Sequence, residues 1–202
     1  MKINLYDGDL PEKIKVSKSI AFDCETMGLN PKRDKLCLIQ LSNGDNICHI
    51  VKIDQKHKKP KNLINILKNN KIEKIFHFAR FDVAVFKYNF KINVKNIYCT
   101  KLASKLVRTY TDKHGYKDLC SELLNKNISK LEQSSDWGGI LTKEQQKYAA
   151  TDVLYLHRLR DKLNKMLLRE KRERLAKACF NFIEHRSDLD IIGWADQDIF
   201  KH

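Results

Sequence analysis

Four residues, Phe22-Asp23-Cys24-Glu25, constrain this chain more than any others, because they set two carboxylates into a stretch that otherwise reads as a buried strand. On a strand, side chains two apart share a face, so Asp23 and Glu25 point together while Phe22 and Cys24 point the other way. Neighbouring carboxylates repel, and burying either one alone is costly. A divalent cation would offset both effects. An exposed acidic strand edge is the other reading of the pair by itself.

Two more acids sit on or beside core-facing positions. Leu156, Leu159, Leu163 and Met166 mark the apolar stripe of a helix, and counting back four places Asp152 on it, with Tyr148 one turn further. A phenol and a carboxylate so stacked call for a common polar partner, or for each other. Asp82, in Phe78-Ala79-Arg80-Phe81-Asp82, opens a helix whose stripe includes Val85 and Phe86. An Asp in a first helical turn usually caps the helix or complements its dipole. Each feature alone has such an ordinary explanation. Together the four acids suit two hard cations of the Mg²⁺ or Mn²⁺ kind, which take oxygen ligands and bind at substrate phosphates. Two such ions clamp the attacking and leaving oxygens of an in-line phosphoryl displacement.

The rest of the chain has to bring these acids together. Strands are expected over 20–25, 36–42, 47–53, 74–78 and 96–100. Asn43-Gly44 gives a hairpin connection between the second and third. Helices are expected over 62–69, 81–89 and most of the chain from 101, interrupted at 110–115 and 125–141. The pattern is α/β, with a mixed five-stranded sheet flanked by helices and a helical C-terminal part. The segments 56–61 and 110–117 read as basic loops; contact with phosphate is the other reading of 110–117, through Lys113 and His114.

Composition sets the bounds. The 202 residues are 42% hydrophobic, enough for one core and its extensions, and no apolar run reaches the roughly 18 residues of a membrane helix. The first nine residues carry acids where an export signal would be apolar, and the six cysteines include no C-x-x-C pair. A cytoplasmic protein with reduced thiols is therefore expected, without zinc or disulfides. The formal charge of +14 permits nucleic acid. It does not establish it, since 30 of the 39 basic residues are Lys and, with abundant Ile and Asn, follow AT-rich coding.

Phe22-Asp23-Cys24-Glu25-Thr26, His77-Phe78-Ala79-Arg80-Phe81-Asp82 and Tyr148-Ala149-Ala150-Thr151-Asp152 resemble, in order and spacing, the three motifs of DEDD 3′-to-5′ exonucleases. The Tyr four before the last Asp resembles the DEDDy subgroup, and Ser134-Ser135-Asp136-Trp137 resembles ribonuclease D. The segments 34–37, 101–106, 108–112 and 189–200, with the overall length, are similar to the short ribonuclease-D-like nanoRNase C group. The resemblance implies an RNase H-like fold in one exonuclease domain spanning 1–202, its core at 10–165 and a helical extension over 166–202. Ribonuclease D proper continues into HRDC domains, and the 37 residues after Lys165 are too few for one.

By position, the resemblance implies that Asp23, Glu25 and Asp152 ligate one Mg²⁺ or Mn²⁺, that Asp23 and Asp82 hold a second, and that Tyr148 orients the attacking water. Thr26, Met27 and Leu29 would pack and wedge the terminal bases, with His77, Phe78 and Arg80 lining the same cleft. Ordinary core is the other reading of Met27, Leu29 and Phe78, local hydrogen bonding that of His77, and a solvated helix charge that of Arg80. The activity implied is release of nucleoside 5′-monophosphates from short single-stranded RNA or dinucleotides. The partners implied are other copies of the chain, in a closed ring, an octamer, with no membrane. Trimming of tRNA 3′ ends and hydrolysis of DNA use the same chemistry. A basic RNA-binding module is the alternative from another class, and the presence of all four motif acids argues against it.

Overall fold

The computed structural model describes residues 1–53, 59–128 and 135–202. Lys56, His57 and Lys58 of the expected basic loop, and Ser134, lie outside the described residues. The strands are β1 (Lys2–Asp7), β2 (Ser19–Thr26), β3 (Leu36–Ser42), β4 (Ile47–Lys52), β5 (Glu73–Phe76) and β6 (Ile97–Cys99). Helices are α1 (Lys61–Lys68), α2 (Ala79–Phe90), α3 (Thr100–Val107), α4 (Tyr116–Leu124), α5 (Lys143–Leu154), α6 (Leu156–Arg169) and α7 (Glu173–Ile191).

The sheet runs β1-β4-β3-β2-β5-β6. Strands β2, β3 and β4 are antiparallel neighbours, while β1 on β4, β5 on β2 and β6 on β5 are parallel. The sheet is thus mixed and flanked by helices, as expected, but it has six strands and not five. The additional strand, β1, has only Ile3 and Leu5 as alternating apolar residues, and Leu5 is exposed. What holds it is remote: parallel pairing from Lys2↔Ile47 to Asp7↔Lys52, and the Tyr6 hydroxyl at 3.0 Å from His49 Nδ1.

Strand β3 is buried along its whole length, as a central strand covered on both faces must be. Its apolar run packs with Phe22, Phe76 and Phe86, and with Leu156, Leu159 and Leu163 from α6, in one core. Helix α5 lies over β2, β3 and β4, whereas α6 packs on α3 and α4, and α7 on α2, α3 and β6. The expected stripe is therefore divided: Tyr148 and Asp152 belong to α5, and the leucines to α6, with Tyr155 between at φ −103°, ψ −1°. The fourth buried stripe residue is Leu167, Met166 being half-buried against the core. The expected strand at 74–78 ends at Phe76, because Phe78 takes a left-handed conformation (φ 67°) that turns the chain into α2.

Candidate active site

Strand β2 carries Asp23 and Glu25 on one face, half-buried, with the apolar Phe22 and Cys24 buried on the other. Gln40, opposite Asp23 on β3 and fully buried, donates from Nε2 to Glu25 Oε1 at 3.2 Å. The register with β3 shifts between Glu25 and Thr26, an irregularity of the kind that re-aims side chains beside functional sites. From above the sheet, α5 brings Asp152 to this face. One oxygen each from Asp23, Glu25 and Asp152 lie within 4.8 Å of one another. The first turn of α2 adds Asp82, which is buried and whose Oδ1 has no hydrogen-bond partner.

All four carboxylates, with Tyr148 and His77, line one cavity of about 320 Å³. Burial raises each acid above its ordinary range, and for Asp23 and Glu25 the neighbouring carboxylates add to it. Asp23 is raised well above that range, Glu25 to about 9, and Asp82 and Asp152 each to about 7. Such a cluster is unfavourable by itself. An oxygen-only donor set, one buried oxygen left unpaired and mutual repulsion fit a hard divalent cation.

Helix α5 starts on a capping box, Thr142 Oγ1 accepting from the Gln145 amide while the Gln145 side chain accepts from the Thr142 amide. Gln145 also donates to Asp136 O at 3.0 Å, which seats the buried Trp137 ring 6.1 Å from Tyr148. Tyr148 stands one turn before Asp152, and burial followed by the Asp152 charge raises its phenol. Tyr148 therefore stays protonated.

The other expected residues fall in different places. Met27 (50% exposed), Leu29 (85%) and Phe78 (42%) are surface and not core. Leu29 and Phe78 stand on a neighbouring cleft of about 960 Å³, and Phe78 and Phe81 form the wall between it and the acid cavity. The 27–35 loop is closed by Asp34, whose carboxylate lies so near Gly28 that a Cβ there would sit 2.2 Å from Oδ2. Thr26 Oγ1 donates to Gly28 O in the same loop. Thr100 donates to Phe76 O at 3.1 Å, so it accepts from His77 Nδ1–H at 2.9 Å and fixes that tautomer. Burial, then Lys101, pushes the His77 pKa down to about 3, and the ring is neutral. Arg80 forks onto Asp190 of α7, with Nε at 2.7 Å and Nη2 at 2.6 Å, and also reaches Ala195 O. It fastens the C-terminal segment to α2.

Three cavity residues had no signal in the pattern of acids. Lys101, in the first turn of α3, holds its ammonium 4.2 Å above the Phe78 ring. Tyr116 and Lys117 open α4 and face the same cavity. They end the basic 110–117 segment, whose His114 is occupied with Ser104 Oγ at 2.8 Å.

A family model described as 3′-5′ exonuclease matches residues 8–168. The chain superposes on Brucella melitensis NrnC with bound Mg²⁺ at a TM-score of 0.95, with 48% identity over the whole of both chains. For Brucella melitensis NrnC bound to pGG the values are 0.96 and 50%, over 100% of this chain and 99% of that one. Among curated sequences, ribonuclease D of Acidiphilium cryptum is 27% identical over 164 residues, 81% of this chain and 41% of that protein. The chain thus spans about two-fifths of the length of that relative.

Proposed function

From the premise that this chain belongs to the 3′-5′ exonuclease family, we propose that it hydrolyses short single-stranded RNA and dinucleotides from the 3′ end, releasing nucleoside 5′-monophosphates. The observation that carries the reading is the convergence of Asp23 and Glu25 from β2 with Asp152 from α5, their oxygens within 4.8 Å. The likeness to an NrnC bound to pGG supports the short substrate.

In this reading Asp23, Glu25 and Asp152 hold one Mg²⁺ or Mn²⁺, and Asp82 joins Asp23 on a second. Bound there, the ions would stabilise the attacking and leaving oxygens of an in-line displacement at phosphorus. The protein groups do the rest. Tyr148, a protonated phenol one turn before Asp152, positions the attacking water by hydrogen bonding. Leu29, Met27 and Phe78 offer exposed apolar surface to the terminal bases, and Thr26 secures their loop. Neutral His77 offers Nε2 as an acceptor. Lys101 and Lys117 supply positive charge toward phosphate at a cavity otherwise dominated by acids. Arg80 serves through its grip on Asp190.

The proposal places the enzyme in the cytoplasm, with residues 1–202 forming one exonuclease unit. It also assembles copies of the chain into a closed ring, an octamer. Ile192, Trp194, Ile199 and Phe200 leave apolar surface exposed at the C-terminal end, which supports assembly.

The test is an end-labelled dinucleotide, a longer RNA and a DNA of the same sequence, each incubated with Mg²⁺ or with EDTA. Metal-dependent release of mononucleotides, fastest from the dinucleotide, is expected, and Asp152→Ala should lower it by about a thousandfold or more. Preference for the long RNA or for DNA would overturn the substrate. Release in EDTA, or none at all, would overturn the function.

A further inference from the structure

The break between α5 and α6 is made by a side chain from elsewhere in the chain. Tyr116 Oη donates to Thr151 O at 2.6 Å and accepts the Tyr155 amide at 3.3 Å. An uninterrupted helix joins those two groups directly, the amide of one residue to the carbonyl four before it. A side-chain oxygen inserted into that ladder is one of the few physical causes of an abrupt change in helix direction. The phenol is used in both its capacities, as donor to Thr151 O and as acceptor of the Tyr155 amide, which it shares with Val153 O.

The inserted group is itself held firmly. Tyr116 opens α4, and its ring lies 5.7 Å from that of His77 at 57°. His77 is fixed in turn through Thr100 to Phe76 O. The oxygen is therefore referenced to the sheet and to α4, not to α5. The residue immediately after the bridged Thr151 is Asp152. Up to this point α5 follows β2, β3 and β4; beyond it α6 follows α3 and α4. Beyond the break, Leu156, Leu159 and Leu163 enter the buried core.

We propose that Tyr116 is a positioning residue, whose hydroxyl splits the Thr151–Tyr155 step and so ends α5 where Asp152 faces Asp23 and Glu25. The proposal rests on the reading of Asp152 as a metal ligand and deepens it. Without the hydroxyl, the Tyr155 amide closes directly onto Thr151 O, α5 and α6 align, and the last turn of α5 swings its carboxylate away. The ring of a Phe at 116 retains the packing on His77, so one oxygen atom carries the effect.

The test compares wild type, Tyr116→Phe and Asp152→Ala. Mn²⁺ binding by isothermal titration should weaken in Tyr116→Phe by about 10- to 100-fold, the range for groups that orient metal ligands. Turnover should fall by a similar factor with KM changed less than about twofold. In the metal-free protein the Tyr155 amide of the variant should exchange more slowly than in wild type, because it closes the full helical bond to Thr151 O. Unchanged Mn²⁺ affinity and turnover in a folded Tyr116→Phe would overturn the proposal. Should that variant not fold, wild type alone decides: a Tyr116 hydroxyl proton exchanging slowly enough to be seen by NMR supports the inserted hydroxyl, and one exchanging at the free rate refutes it. If Asp152→Ala keeps full metal-dependent activity, the functional reading itself fails. If it is inactive while Tyr116→Phe matches wild type, only the present proposal does.

Discussion

At the scale of single residues, the four acids trade folding stability for a site. In the metal-free protein their protons are held more tightly folded than unfolded, where carboxylates titrate near about 4. Stability therefore falls as pH rises from there, through about 7 for Asp82 and Asp152 and toward about 9 for Glu25. Other groups act with the opposite sign. His77 and His157, lowered by burial, favour folding as pH rises toward their ordinary value of about 6.5. Lys74, lowered to about 8, does so above that pH. Between about pH 6.5 and 8 the carboxylates dominate. Thermal denaturation in EDTA should show Tm falling across this window, with excess Mg²⁺ restoring most at its upper end. A Tm that is level or rising in EDTA would contradict a buried acidic cluster. The acids were legible in the sequence because carboxylates on apolar stripes are anomalies of local pattern. Lys101 and Tyr116 were not, because each is unremarkable among its neighbours and gains meaning only from the cavity it faces.

At the scale of elements, two departures from local expectation have the same cause. Helix α1 begins after Pro60 with no side-chain cap of its own. Asp9, two residues beyond β1, supplies it, accepting from the amides of Asn62 at 2.9 Å and Leu63 at 3.1 Å. Asn62 Nδ2 returns a bond to Leu10 O at 2.7 Å. The acid near the N-terminus, read from sequence only as unlike an export signal, is a helix cap across more than fifty residues. Asp9→Ala should lower the unfolding free energy by about 1 kcal/mol in urea titration, while leaving kcat unaltered. No loss of stability would mean that solvent caps α1 equally well. The division of α5 from α6 is the second case. Periodicity places Tyr148, Asp152 and Leu156 on one line, and only a phenol from α4 shows why that line bends.

At the scale of the whole molecule, a formal charge of +14 surrounds a cavity walled by four carboxylates. In the proposed function, a divalent cation held at the acids would offset their repulsion and let the cavity accept a polyanion. The proposed ring adds a further requirement, that the exposed C-terminal apolar residues find cover. Light scattering should return a multiple of the 23.7 kDa chain mass. Trp194→Asp with Phe200→Asp should reduce it, and a wild-type monomer would remove the ring from the proposal. No helix among the described residues is long and apolar enough to cross a membrane.

The sequence alone determined the α/β class, five of the six strands and the acids at 23, 25, 82 and 152, because alternation and helical periodicity record which side chains leave water. Only the tertiary structure decided the pairing of β1, the capping of α1 by Asp9, the anchoring role of Arg80 and the bend at Tyr155. Each depends on a hydrogen bond between residues far apart in the chain. Burial leaves a trace in the order of residues along an element; the partner of a polar group does not, until the fold has brought the two together.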